Sequence, residues 1–224
     1  MLLFETRALC KYYRAGTKAE VRALDDVSLT IERGSLTVVT GASGSGKTTL
    51  LALLGGLERA TRGEVYFDGK SLADCSGNEL ARLRRRVGFV FQDFALIPNL
   101  SVAENITYPL IPRGIPRADR HRRARELLAR LGIEDKFASP ARDLSGGERQ
   151  RAGVARALAG DPEALLADEP TSNLDPATAD AMLALIQERH AAGTTVVLSS
   201  HDPRVIAVAT RRYDLAAGRL RSAP

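Results

Sequence analysis

The sequence predicts an α/β fold in which a mainly parallel sheet carries an inserted α-helical subdomain, and three observations predict it. A glycine-rich stretch, GASGSGKT at residues 41–48, separates a short apolar run from a largely apolar segment of helical length. Two more unbroken apolar runs, ALLAD at 164–168 and TTVVLSS at 194–200, flank another helix-length segment at 176–190. Apolar runs without alternation read as strands buried on both faces, and strands alternating with helices read as parallel β-α-β units. Between 93 and 160 the character changes: prolines at 98, 109, 112 and 116 precede an Arg-rich amphipathic stretch. That is the signature of a helical insertion in a sheet-based core.

Taken in order, residues 2–13 and 23–31 are rich in apolar residues and β-formers and read as strands, as does SLTVVT at 35–40, which feeds directly into the glycine loop. TTLLALLGGL at 48–57 reads as a buried helix that ends at Gly55 and Gly56. EVYFDGKSL suggests a strand and a turn at Asp68-Gly69, then a polar helix and the strand VGFVFQ at 87–92. A helix over 149–159 stops at Gly160 with Pro162 beyond it, and a strand pair near 213–220 closes the chain. The expected organisation is one domain over 1–224, with the sheet core and a β subdomain in 1–92 and 161–224 and the helical subdomain in 93–160.

With 224 residues, 44% hydrophobic and 26% charged, the chain can bury a full core without a disulfide scaffold. No apolar run approaches the roughly 18–20 residues that span a bilayer, and Glu5 and Arg7 interrupt the start before a signal-peptide core can form, so a cytoplasmic location is expected. Cys10 and Cys75 have neither metal-ligand nor redox spacing. The net charge of +5 draws on arginine clusters at 82–86 and 117–125. Apolar residues interleave both clusters at helical spacing (Leu80 and Leu83; Ala124, Leu127 and Leu128), so they read as solvated helix faces, and without interleaved aromatics no nucleic-acid partner is expected.

Residues 41–48 fit the pattern G-x-x-x-x-G-K-[ST] between a predicted strand and a predicted helix, which is the context a phosphate loop requires. Backbone N–H groups of Gly41, Ala42, Ser43, Gly44, Ser45 and Gly46 can wrap phosphate oxygens, and the helix N-terminus at Lys47, Thr48 and Thr49 adds its dipole. Lys47 then reaches the terminal phosphates of a nucleotide, and the Thr48 hydroxyl can hold Mg²⁺. The buried run at 164–168 ends in two acids, Asp168 and Glu169, at the carboxyl end of a parallel strand where ligands gather. There Asp168 can approach Mg²⁺ while Glu169 orients or deprotonates water. Ser145 and Glu148 have capping-box spacing, and Gly146 and Gly147 leave the first backbone donors of that helix open to a second anion. His201 follows another buried strand beside the same crevice.

LSGGERQR at 144–151 resembles the motif that distinguishes ABC ATPases from other phosphate-loop proteins, and further family elements occur in order along essentially the whole chain. The resemblance implies a P-loop NTPase (RecA-like) core with an antiparallel β subdomain, and ATP and Mg²⁺ as ligands. It implies that Tyr13 stacks on adenine, that Gln92 ends its strand and senses Mg²⁺ and the attacking water, that Glu169 is the general base, and that His201 contacts the γ-phosphate. Ser172, Asn173, Leu174 and Asp175 fall at the D-loop, where Asp175 couples two sites; Ser172 stands where many members carry glycine. Two copies would face head to tail, each ATP held between one copy's residues 41–48 and the other's Ser145 to Glu148.

FVFQDFALIPNLSVAEN and LADEPTSNLD are most similar to the lipoprotein-releasing and macrolide-export ATPases, which implies a separate transmembrane permease and a peripheral place on the inner face of the membrane. A non-transport ABC ATPase that regulates a cell-envelope machine is the alternative. A chromosome-maintenance ATPase is disfavoured, because Lys47 and Asp168 lie only about 120 residues apart with no sustained heptads between them.

Overall fold

The computed structural model describes residues 1–172 and 174–221. Its centre is a six-stranded sheet of order β10-β9-β3-β8-β7-β6, built from Leu36–Thr40 (β3), Val87–Val90 (β6), Ala164–Asp168 (β7), Thr195–Ser199 (β8), Arg211–Ala216 (β9) and Arg219–Leu220 (β10). All neighbours in this sheet run parallel except the β9–β10 hairpin. A second, antiparallel sheet of order β2-β1-β4-β5 combines Leu2–Tyr13 (β1), Val21–Glu32 (β2), Arg62–Phe67 (β4) and Lys70–Ser71 (β5). Asp68 (φ 54°) and Gly69 (φ 78°) turn β4 into β5, both in the left-handed region that a two-residue hairpin turn favours.

Residues of β3, β7 and β8 are buried throughout, and alternate positions enter different cores. Val39, Leu166 and Val197 face a core shared with the antiparallel sheet and Lys47–Leu54 (α1). Val38, Leu165, Ala167, Val196 and Leu198 face a second core shared with Val102–Thr107 (α3), Arg117–Arg130 (α4), Gly146–Leu158 (α5) and Pro176–Ala191 (α6). Burial on both faces is the physical reason these strands lack polar alternation. The arginines of α4 and of Gly77–Arg84 (α2) are carried on helices whose Leu80, Leu83, Ala124, Leu127 and Leu128 are buried, as the spacing predicts.

Two local expectations are corrected, and one helix is added. The strand before Gln92 stops at Val90, and Gln92 lies exposed in the turn beyond it. The proline-rich stretch contains a capped helix, α3, in which Ser101 Oγ accepts from the Glu104 N–H and the Glu104 carboxylate accepts from the Ser101 N–H. The helix of the LSGGERQR segment begins at Gly146 rather than Arg149, because Ser145 is its N-cap. A short helix, Pro203–Ala207 (α7), also follows His201. Among the described residues no helix is long and apolar enough to cross a membrane.

Candidate active site

The loop between β3 and α1 is shaped by glycines that its surroundings demand. Gly41 (φ 149°) has Leu215 O only 2.2 Å from where a Cβ would sit, and Gly46 (φ 105°) has Ala23 O at 2.3 Å, so side chains there would collide with β9 and β2 backbone. The loop is thereby pressed against both sheets. Its Ser45 Oγ is buried without a hydrogen-bond partner, a polar atom in want of a ligand. Lys47, nine-tenths buried, folds back to donate to Gly41 O at 2.8 Å and Ala42 O at 3.2 Å.

The ends of β7 and β8 complete the centre. Thr48 Oγ1 donates to Asp168 Oδ2 at 2.6 Å, and Ser199 Oγ donates to Asp168 Oδ1. Ser199 Oγ also accepts from the Glu169 N–H at 3.1 Å, which sets the two acids in one hydroxyl-linked frame. Glu169 sits in the left-handed region (φ 49°), sparsely populated for a residue with a side chain and found where surrounding structure enforces it. Its carboxylate lies 3.9 Å from Lys47 Nζ and 3.0 Å from His201 Nδ1. Ser172 Oγ donates to Glu169 O at 2.8 Å, so the serine at this departure from the family pattern buttresses the Glu169 backbone. Asp168, Glu169, Lys47, Thr48 and His201 are thus brought together, with His201 largely exposed at the rim.

Other predicted residues lie apart from this network. Ser145 is exposed and caps α5: its Oγ accepts from the Glu148 N–H at 3.3 Å and its N–H donates to Glu148 Oε2 at 2.7 Å. Those bonds from Ser145, with Lys136 nearby, hold the Glu148 carboxyl below its ordinary range. No atom lies within 4 Å of a Cβ built on Gly146, so the helix end is open. Tyr13 is 38% exposed on β1, with Lys11 Nζ over its ring, 5.0 Å from the centre. Asp175 is the N-cap of α6, accepting from the Thr178 N–H at 3.1 Å, and its carboxyl is held low by the Thr178 hydroxyl and then by backbone N–H groups. Asn173 lies outside the described residues.

Sequence reasoning missed Ser199, although two hydroxyl residues just before His201 at the end of a buried strand were a usable signal. It also missed Gln150, fully buried on α5, whose Nε2 donates to Pro170 O at 3.0 Å and ties the LSGGERQR helix to the turn after Glu169. A lone polar residue within an arginine-rich segment gave no sign of that burial.

A protein-family model described as ABC transporter matches residues 24–172, about two thirds of the chain. The chain belongs to the ABC transporter family. Over 219 residues it is 42% identical to the macrolide export ATP-binding/permease protein MacB of Hyphomonas neptunium, covering 97% of this chain and 34% of that protein. It is 44% identical over 209 residues to the methionine import ATP-binding protein MetN of Rhizobium johnstonii, covering 92% of this chain and 57% of that protein. The chain therefore spans about a third of the export relative and somewhat over half of the import relative. A solved dimeric ATP-binding cassette in a post-hydrolysis state, bound to ADP and Pi, superposes with a TM-score of 0.92 at 37% identity over 98% of this chain and 97% of that one. The parallel core, the antiparallel sheet and the likeness to macrolide-export proteins are as the resemblance implied. As an ABC transporter cassette, the chain carries the glycine loop at 41–48 and the open helix end at Ser145 on separate elements.

Proposed function

We propose that this chain binds ATP and hydrolyses it to ADP and phosphate, and that a transmembrane permease uses the resulting motion for export. The observation that carries the reading is the frame in which Thr48, Asp168, Ser199 and Glu169 are hydrogen-bonded beside Lys47 at the mouth of the phosphate loop. Phosphoryl transfer to water needs positioned charge more than covalent chemistry, and this frame supplies it. Lys47 exchanges the carbonyls of Gly41 and Ala42 for the terminal phosphates, and the loop N–H groups and Ser45 Oγ take the remaining oxygens. Tyr13, partly exposed on β1, is the ring that stacks on adenine.

The residues present suit Mg²⁺. Thr48 and Asp168 are hard oxygen donors, and among the described residues no group of three or more His, Cys, Asp and Glu forms a dedicated metal cage. That donor count matches an ion completed by phosphate and water, and when bound it would neutralise phosphate charge. Thr48 and Asp168 would hold it, with Gln92 as a further contact. Glu169, fixed through Ser199 and Ser172, is the base that takes a proton from the attacking water, and His201 holds the Glu169 carboxylate on its outer side and faces the γ-phosphate.

Ser145, Gly146, Gly147 and Glu148 present an open helix N-terminus, and a second copy's ATP is the anion that fits it. Asp175, at the start of α6, stands between the two sites in such a pair. Residues 93–160 form the subdomain that passes closure to the permease, and the assembly lies peripherally on the cytoplasmic face of the membrane. The test is Mg²⁺-dependent release of phosphate from ATP by the purified chain beside a Lys47→Ala variant. Hydrolysis in the first and none in the second supports the reading; equal rates overturn it.

A further inference from the structure

Resting on the reading of Tyr13 and residues 41–48 as one nucleotide site, we infer that Asp25 and Arg219 are positioning residues that set the adenine platform relative to the phosphate loop. Asp25 lies on β2, and beside Cys10 Sγ, which donates to its Oδ1 at 4.0 Å, three ties meet at it. Its carboxylate accepts from the Tyr12 hydroxyl at 2.8 Å, and Tyr12 is the chain neighbour of Tyr13 on β1. The same carboxylate accepts from Arg219 Nη2 on β10. Its N–H donates to Gly218 O at 2.8 Å, in the β9–β10 turn.

Gly218 carries the connection onward, because its own N–H donates to Ser45 O at 3.0 Å, inside the phosphate loop. The C-terminal hairpin is therefore bonded to the phosphate loop through backbone and to the platform strand through the side chains of Arg219, Asp25 and Tyr12. Asp25 is itself largely buried, at 16% side-chain exposure, whereas Arg219 is 67% exposed, so Arg219 can be replaced without opening a core. Cutting the side-chain link leaves the backbone ties of Asp25 and Ser45 to Gly218 in place and removes the restraint that reaches the platform strand through Tyr12.

This separation predicts a ligand-dependent effect that a general loss of stability would not give. The probes are MgATP and inorganic tripolyphosphate with Mg²⁺, titrated by calorimetry into the full chain. Wild type binds MgATP more tightly, since only ATP engages the platform. Arg219→Ala weakens MgATP about 3–10-fold, the scale of one charge-assisted hydrogen bond at a partly exposed site, and leaves tripolyphosphate within about twofold. Tyr12→Phe does the same, and the double variant is no weaker than either single one, because both break one chain of contacts. Arg219→Lys keeps the charge and recovers most of the preference.

Equal weakening of both ligands, no weakening of either, multiplied losses in the double variant, or a wild type without preference for ATP would each overturn the inference. Failure of the underlying reading shows separately: Lys47→Ala would then bind both ligands as wild type does, or Tyr13→Ala would keep the full preference for ATP.

Discussion

Thr48 Oγ1 donates a hydrogen bond to Asp168 Oδ2 at 2.6 Å, joining positions 120 residues apart and closing the phosphate loop onto the strand-end acids. The bond exists because β3 and β7 both run parallel to β8 on either side of it, so that their carboxyl ends open on the same edge.

Lys47 donates its hydrogen bonds to carbonyls of its own loop and pairs at 3.9 Å with Glu169, so its removal costs the fold little and the ligand much. Lys47→Ala should weaken ATP binding about 10–100-fold, the scale of one or two charged hydrogen bonds, with a melting temperature within a few degrees of wild type. Titration of a fluorescent ATP analogue checks the first, and thermal unfolding the second.

Ser199 holds Asp168 through its hydroxyl and receives the Glu169 N–H, which can still bond to Ser199 O at 3.1 Å if the hydroxyl is lost. Ser199→Ala should therefore loosen the acids without unfolding the turn. A fall of about tenfold in kcat, with the KM for ATP within about twofold, is expected from losing one hydrogen bond to a charged group. A KM change larger than the kcat change in steady-state assays would mean that Ser199 serves binding instead.

The capping box at Ser145 predicts a pH dependence. Bonds from the Ser145 N–H and hydroxyl lower the Glu148 pKa from its ordinary 4.5, so the stabilisation is fully present above that value and is lost as pH falls through the lowered one. Glu148→Ala should melt about 2–4 °C below wild type at pH 7, the scale of a lost cap, and the gap should narrow as pH falls below 4.5. Melting curves from pH 7 to pH 3 check it; a gap that persists in acid would mean the carboxylate charge is irrelevant.

Much of this was legible because local chemistry and tertiary demand agree. The β3–loop–α1 unit announces itself through residues 41–48, and β7 and β8 through apolar runs that tertiary burial then explains. Ser145 and Glu148 were readable as a cap because the capping box is a contact between near neighbours. The equivalent pair Ser101 and Glu104 was hidden among prolines, although it forms the same box. Gln92 appeared to end a strand because FVFQ is continuous in hydrophobicity, whereas pairing with β7 ends at Val90 opposite Ala167.

What could not be read were contacts made across the fold. Ser199, Gln150 and the Asp25–Arg219 pair act through partners 20 to 194 positions away, and no spacing rule reaches that far. The role of Ser172 likewise became visible only with the Glu169 backbone in place.

The central claim is that one copy's phosphate loop and another's Ser145 helix end enclose the same ATP, with Glu169 as the base. The most direct test is the oligomeric state of Glu169→Gln by light scattering, with and without ATP and Mg²⁺, alongside hydrolysis rates. The account predicts a monomer that becomes a dimer only with ATP and hydrolyses it at least about 100-fold more slowly than wild type. A variant that binds ATP yet stays monomeric, or that hydrolyses it at the wild-type rate, would contradict it.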